Sequence, residues 1–146
     1  MKTADLLRRL LPGAWFGLLA AVAFIAAPVA FQVLDKGTAG VFVRRLFAVE
    51  APTSLALGAL LLFVERRAGL DRHQATGASQ FTAEMMLVLG ALLCTVAGYY
   101  GLLPMLEAAR AGESSALSFG QLHGLSTAFF GAKGLLVLAL AVKAAR

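Results

Sequence analysis

The chain has 146 residues, of which 60% are hydrophobic and only 14% charged, and its mean hydropathy is +0.80. That composition excludes an ordinary soluble domain and leaves no room for one beside the apolar segments. A net charge of +5 with a pI near 10.0 would suit nucleic acid; in so apolar a chain the arginines read instead as topology determinants and contacts to anionic lipid, with no nucleic-acid partner.

A bilayer core of about 30 Å takes about 20 apolar residues per helix. The first predicted span, about 12–34, follows a basic head with Lys2, Arg8 and Arg9 and contains "APVAF", a small-residue sequence of the kind a signal peptidase reads. Its apolar run exceeds the roughly 7 to 15 residues of a signal core, so it is expected to stay as a membrane helix. Trp15 stands near its inner end and fits an interfacial aromatic belt. The link "DKGTAGVFVRR" leads to a second span, about 46–64, which carries Glu50 and Pro52. A polar loop, "ERRAGLDRHQATGASQFTAE", precedes the third span, about 85–103, with Cys94 in its middle and Tyr99 and Tyr100 near its outer end. The only cysteine cannot form an intramolecular disulfide. "EAARAGESSALSFGQ" then leads to the fourth span, about 119–142. Short links make antiparallel neighbours, so the expected fold is all-α: one integral membrane four-helix bundle of two hairpins, a single domain over 1–146.

Basic residues near spans favour the cytoplasmic side. Lys2, Arg8, Arg9, Arg66, Arg67, Arg72, Lys143 and Arg146 would share one side, against Lys36, Arg44, Arg45 and Arg110 on the other. Both termini are therefore expected in the cytoplasm. Small residues at four-residue spacing, Gly13 and Gly17, then Gly90, Cys94 and Gly98, then Gly120 and Gly124, are the predicted helix-packing faces. A faint internal repeat accompanies them. Pro28 and Pro104 close the first and third spans, and each is followed eighteen residues later by a leucine, Leu46 and Leu122.

"APVAFQVLDKGTAGVFVRRLF", "GYYGLLPMLEAARAG" and "FGQLHGLSTAFFGAKGLL" together resemble the small four-span bacterial membrane proteins catalogued as domain of unknown function 4149, a family that looks related to the eukaryotic transmembrane protein 205. The likeness runs over nearly the whole chain and is most specific at Leu122, His123, Gly124 and Ser126. It implies a four-helix bundle in a bacterial inner membrane and brings no activity with it. Members commonly carry Asn four residues after the serine; Phe130 stands there here, so any network built on that Asn does not carry over.

Ionisable groups in hydrocarbon cost a few kcal/mol or more unless partnered. Counted from Arg45, Glu50 lies about 7 Å deep in the second span, and counted from Phe119, His123 lies about 6 Å deep in the fourth. The two are therefore expected to meet, in a polar layer completed by Gln32, Tyr99, Tyr100 and Ser126. Lys133 stands about 15 Å further in than His123 and beyond reach of Glu50; it would snorkel to the headgroups or face a polar cavity. Pro52 would loosen the helix beside the carboxylate. The layer reads as a structural clamp, as a substrate or proton site, or as part of a haem or metal site. For the last, Cys94, Met85 and Met86 lie too deep to share a metal with His123, and His73 is the only other histidine.

No phosphate loop, paired His and Cys motif or hydrolytic triad is present, and Ser126 beside His123 on one helix leaves no substrate path. The expected function is therefore non-enzymatic, with no cofactor and no metal: a small transport element, or a subunit packing against another copy or another membrane protein. A haem- or metal-binding electron-transfer module is the alternative.

Overall fold

The structure, a computed structural model, describes residues 3–146; Lys2, counted above in the basic head, lies outside them. The described residues are helical with no strand, and four helices are long and apolar enough to cross a membrane: Thr3–Val33, Lys36–Thr76, Ala83–Arg110 and Phe119–Ala144.

The first and third spans share a discontinuity. Each widens into a π-helical stretch, Val22–Ala26 in the first and Val96–Gly101 in the third, just before a proline that starts the next helical segment, Ala27–Val33 or Leu103–Arg110. Pro28 and Pro104 have no N–H to offer the carbonyl four residues back. Within the first stretch the turn is widened by one residue, the Ala27 N–H reaching back five residues to the Val22 carbonyl.

The second span is a single helix of 41 residues. Asp35 caps it, its carboxylate accepting the Gly37 and Thr38 N–H groups at 3.1 and 3.0 Å, and hydrogen bonding to Thr38 holds that carboxyl below the usual range. All of "DKGTAGVFVRR" after its aspartate is therefore helix rather than link, and Leu34 and Asp35 alone make the turn. The helix stops at Gly77, whose φ of 71° is left-handed and whose N–H bonds the His73 carbonyl at 2.8 Å. Most of the expected polar loop is thus also helical. Thr82 caps the third span through the Met85 N–H at 3.1 Å, and Ser118 with Gln121 forms a capping box on the fourth.

The spans form a ring in which first touches second, second touches third, third touches fourth and fourth touches first. Second and fourth face each other across a diagonal. We call the end holding Arg8, Glu65, Glu84 and Lys143 the terminal end, and the end holding the Leu34–Asp35 turn the turn end. One core draws on all four spans, with Trp15, Leu19, Leu61, Val88, Ala91, Val137 and Leu140. A smaller one, Leu102, Leu106 and Leu122, belongs to the second hairpin alone.

Close approach occurs at Gly98, where a Cβ would overlap the Phe129 Cβ, and at Gly90, where it would lie 3.0 Å from Leu136. Gly58, not singled out in the sequence, meets Leu92 and Trp15 in the same way. Cys94, between Gly90 and Gly98, is half-buried. Gly120 and Gly124 do not pack as expected. They lie on the exposed side of the fourth span, whose buried side carries Leu122, Lys133, Val137 and Leu140.

Candidate functional site

Glu50 stands fourteen residues after Lys36, and Lys133 fourteen after Phe119. Both helices start at the turn end, so both side chains lie about 21 Å in, near the middle of the bundle. Lys133 Nζ donates to Glu50 Oε1 at 2.7 Å, and each side chain is only 3% exposed. One turn along, the Ser54 hydroxyl donates to the same carboxylate oxygen and accepts the Trp15 indole N–H at 2.8 Å. The Lys133 ammonium also sits 4.8 Å from the centre of the Phe130 ring, a cation–π contact, and Phe130 meets Phe47 edge-on at 5.3 Å.

Isolated, either ion would be driven to neutralise. Paired, they leave no net charge, and among the described residues no buried side-chain nitrogen or oxygen lacks a partner. The Ser54 hydroxyl and Trp15 indole fix where the carboxylate points. Second and fourth spans are thereby joined through the centre of the ring.

This arrangement overturns the expected meeting of Glu50 and His123. Glu50 pairs with Lys133, which neither snorkels nor stands alone. His123 is exposed near the turn end and stacks on Phe119 at 6.0 Å, and Arg110 covers the Phe119 ring at 5.2 Å. Nor does the rest of the predicted layer gather round the carboxylate. Gln32 is exposed, and Tyr99 and Tyr100 pack edge-on against each other at 5.0 Å. Ser126 donates to the Gly98 carbonyl at 3.1 Å, serving the π-helical stretch of the third span. Trp15 is wholly buried rather than in a belt. Pro52 leaves the second helix unbroken, with Thr53 bonding the Val49 carbonyl at 2.7 Å.

A second polar group closes the terminal end. Arg8 grips Glu65 through two hydrogen bonds of 2.8 and 2.9 Å, and Lys143 lies 3.4 Å from Glu84. With Asp5 and Arg9 they line a cavity of about 310 Å³. The sequence marks Arg8 only as a topology determinant and puts Glu65 in the "ERR" run that reads as loop, so neither is expected in this pair. Among the described residues no three of His, Cys, Asp and Glu converge as a metal site. The two histidines lie toward opposite ends, His73 bonding the Ala78 carbonyl at 2.7 Å beyond the terminal-end pairs.

No curated protein and no solved structure is significantly similar to the chain. The profile of a family described as Domain of unknown function (DUF4149) matches residues 10–115, taking in the first three spans and with them Trp15, Glu50 and Ser54. With most of its length so matched, and with four membrane-length helices, the chain belongs to that family.

Proposed function

We propose that the chain is a non-enzymatic protein of the bacterial inner membrane, both termini cytoplasmic, in which Glu50 and Lys133 form the proton-exchanging centre of a small transport element. The observation that carries this reading is the buried pair at mid-depth. Intramembrane ionisable residues mark ion and proton pathways as well as structural ties. At 2.7 Å a proton can pass from the ammonium to the carboxylate, and the two forms, ion pair and neutral acid with amine, carry the same net charge. Neither puts an uncompensated ion in the bundle, so the centre can change form without the cost that burying a single charge would bring.

The placing of the other polar ties supports movement around this centre. Arg8–Glu65 and Trp15–Ser54 lie within the first hairpin; Lys143–Glu84 and Ser126–Gly98 lie within the second. Among the described residues, Glu50–Lys133 is the one side-chain hydrogen bond or ion pair that joins the hairpins. A change at that pair therefore bears on how the two hairpins sit together.

The test is proton movement in proteoliposomes carrying a pH-sensitive dye, under an imposed pH gradient. The wild-type chain should dissipate the gradient faster than empty vesicles, and Glu50→Gln should return the rate to that of empty vesicles. Equal rates in all three would leave the pair as a structural tie and favour a partner-packing subunit. Orientation is checked separately: a reporter fused after Arg146 should be active only on the cytoplasmic side, as the count of basic residues requires.

A further inference from the structure

The geometry points to a gate: Phe47 and Phe130 close the Glu50–Lys133 centre against the turn end, and water and protons reach the centre from that end when the two rings part. This rests on the reading of the pair as a proton-exchanging centre and adds the side from which it is reached.

The rings occupy matched positions. Phe47 stands three residues before Glu50 on the second span, and Phe130 three before Lys133 on the fourth, so each lies one helical turn nearer the turn end than the charge it covers. They meet edge-on at 5.3 Å with an interplanar angle of 89°. Phe130 also turns a face toward the ammonium at 4.8 Å. The same ring thus holds both the gate and the charge. Any change in the position or protonation of Lys133 alters one of the contacts that hold Phe130, which also packs against the core of all four spans.

What lies on either side of the pair differs. Toward the terminal end the core shared by all four spans begins, with Trp15, Leu61, Val88, Val137 and Leu140 packed against one another, and the ion pairs of Arg8 and Lys143 follow it. Toward the turn end no buried cluster among the described residues joins all four spans. Ala30 and Ala39 are buried in the first hairpin, and Leu102, Leu106 and Leu122 cluster in the second. Both π-helical stretches also lie on this side, so the outer segments Ala27–Val33 and Leu103–Arg110 are set off from the rest of their spans by wide turns. Such stretches and prolines are where helices bend. The path from the turn end is thus one aromatic layer beneath jointed helices; at the terminal end the cavity lined by the ion pairs stops at Leu140, and the packed core lies between it and the centre.

The experiment measures access from each side. In membrane vesicles of known sidedness, Ser54→Cys in a Cys94→Ala background puts a thiol one turn beyond Glu50. A small, charged, membrane-impermeant methanethiosulfonate is then added to one side at a time. Labelling is expected to be faster from the turn end than from the terminal end, and Phe47→Ala and Phe130→Ala should each raise the turn-end rate about tenfold by removing an aromatic contact that favours the closed form. Phe47→Leu, which keeps apolar bulk, serves if the alanine variants fail to fold. On the unsubstituted chain, modification of Glu50 by a water-soluble carbodiimide, read by mass spectrometry, should show the same sidedness. Labelling from the terminal end as fast as or faster than from the turn end, or rates indifferent to both rings, would overturn the gate. Sided access without proton movement would remove the proposed function and leave the gate; proton movement with access from the terminal end would do the reverse.

Discussion

Breaking the Glu50–Lys133 pair tests the reading of the central site most directly. At 2.7 Å and an effective dielectric constant near 20, the attraction between the charges is about 6 kcal/mol. Desolvation of two ions at 3% exposure offsets most of it, at several kcal/mol per ion, so the pair adds little net stability over an apolar pair. Removing one partner is a different matter. In Lys133→Met the carboxylate keeps only the Ser54 hydroxyl, and in Glu50→Gln the ammonium keeps only an amide oxygen and a ring face; each should cost about 3–5 kcal/mol. The double variant, with no charge left to bury, should cost less than either single, a coupling of more than about 3 kcal/mol. Equilibrium unfolding in mixed detergent micelles, followed by far-ultraviolet circular dichroism, measures all three. His123→Gln is the control and should change stability by no more than about 0.5 kcal/mol, since that ring is exposed. Additivity of the two single effects to within about 0.5 kcal/mol would refute the coupling, as would a His123 variant as costly as that of Lys133.

Gly98→Leu should destabilise the second hairpin by about 1–3 kcal/mol or more, because its side chain would overlap Phe129, whereas Gly124→Leu, which meets nothing, should leave the same unfolding curve unchanged. Trp15, the one tryptophan, should emit at short wavelength and resist aqueous quenchers, and Trp15→Phe should cost about 1–3 kcal/mol by removing the indole donor from Ser54. The Asp35 cap is a depressed carboxyl, so its support for the second helix is complete above the ordinary carboxylate range and lost as pH falls through its lower folded-state value. Amide exchange at Gly37 and Thr38, corrected for the intrinsic effect of pH, should show the helix start loosening only in that acid window, and Asp35→Ala should abolish the pH dependence.

The number, order and pairing of the spans are legible in composition and hydropathy because the bilayer imposes a length and links this short leave antiparallel neighbours little alternative. Boundaries are less so. Lys36 to Arg45 carries two glycines, a threonine and three charges, which on hydropathy alone argue for a link. What decides it is local: Asp35 supplies a cap, and the alanine, valines and phenylalanine that follow prolong the helix. The paired prolines of the first and third spans are visible in the sequence, but the π-helical stretch that each follows is not. A carbonyl without its donor has several remedies, and the sequence does not say which is used.

The central site differs from the expected layer because the second helix begins at Lys36, not near Arg45. Counting from Arg45 put Glu50 about 7 Å deep, level with His123; counting from Lys36, where the helix begins, moves it about 14 Å further in and level with Lys133. In water such an offset would merely exchange one neighbour for another. In a bilayer it changes the chemistry, because a carboxylate near the headgroups can remain charged beside water, whereas one at mid-depth must find a cation or give up its charge. Lys133 already showed the difficulty: at mid-span on the fourth helix it had no route to the headgroups that its own direction favoured. Two unpartnered opposite charges in facing spans are a stronger constraint than either helix boundary. Setting the depth of Glu50 by the need to neutralise Lys133, rather than by the position of Arg45, leads from the sequence to the pair that the structure contains.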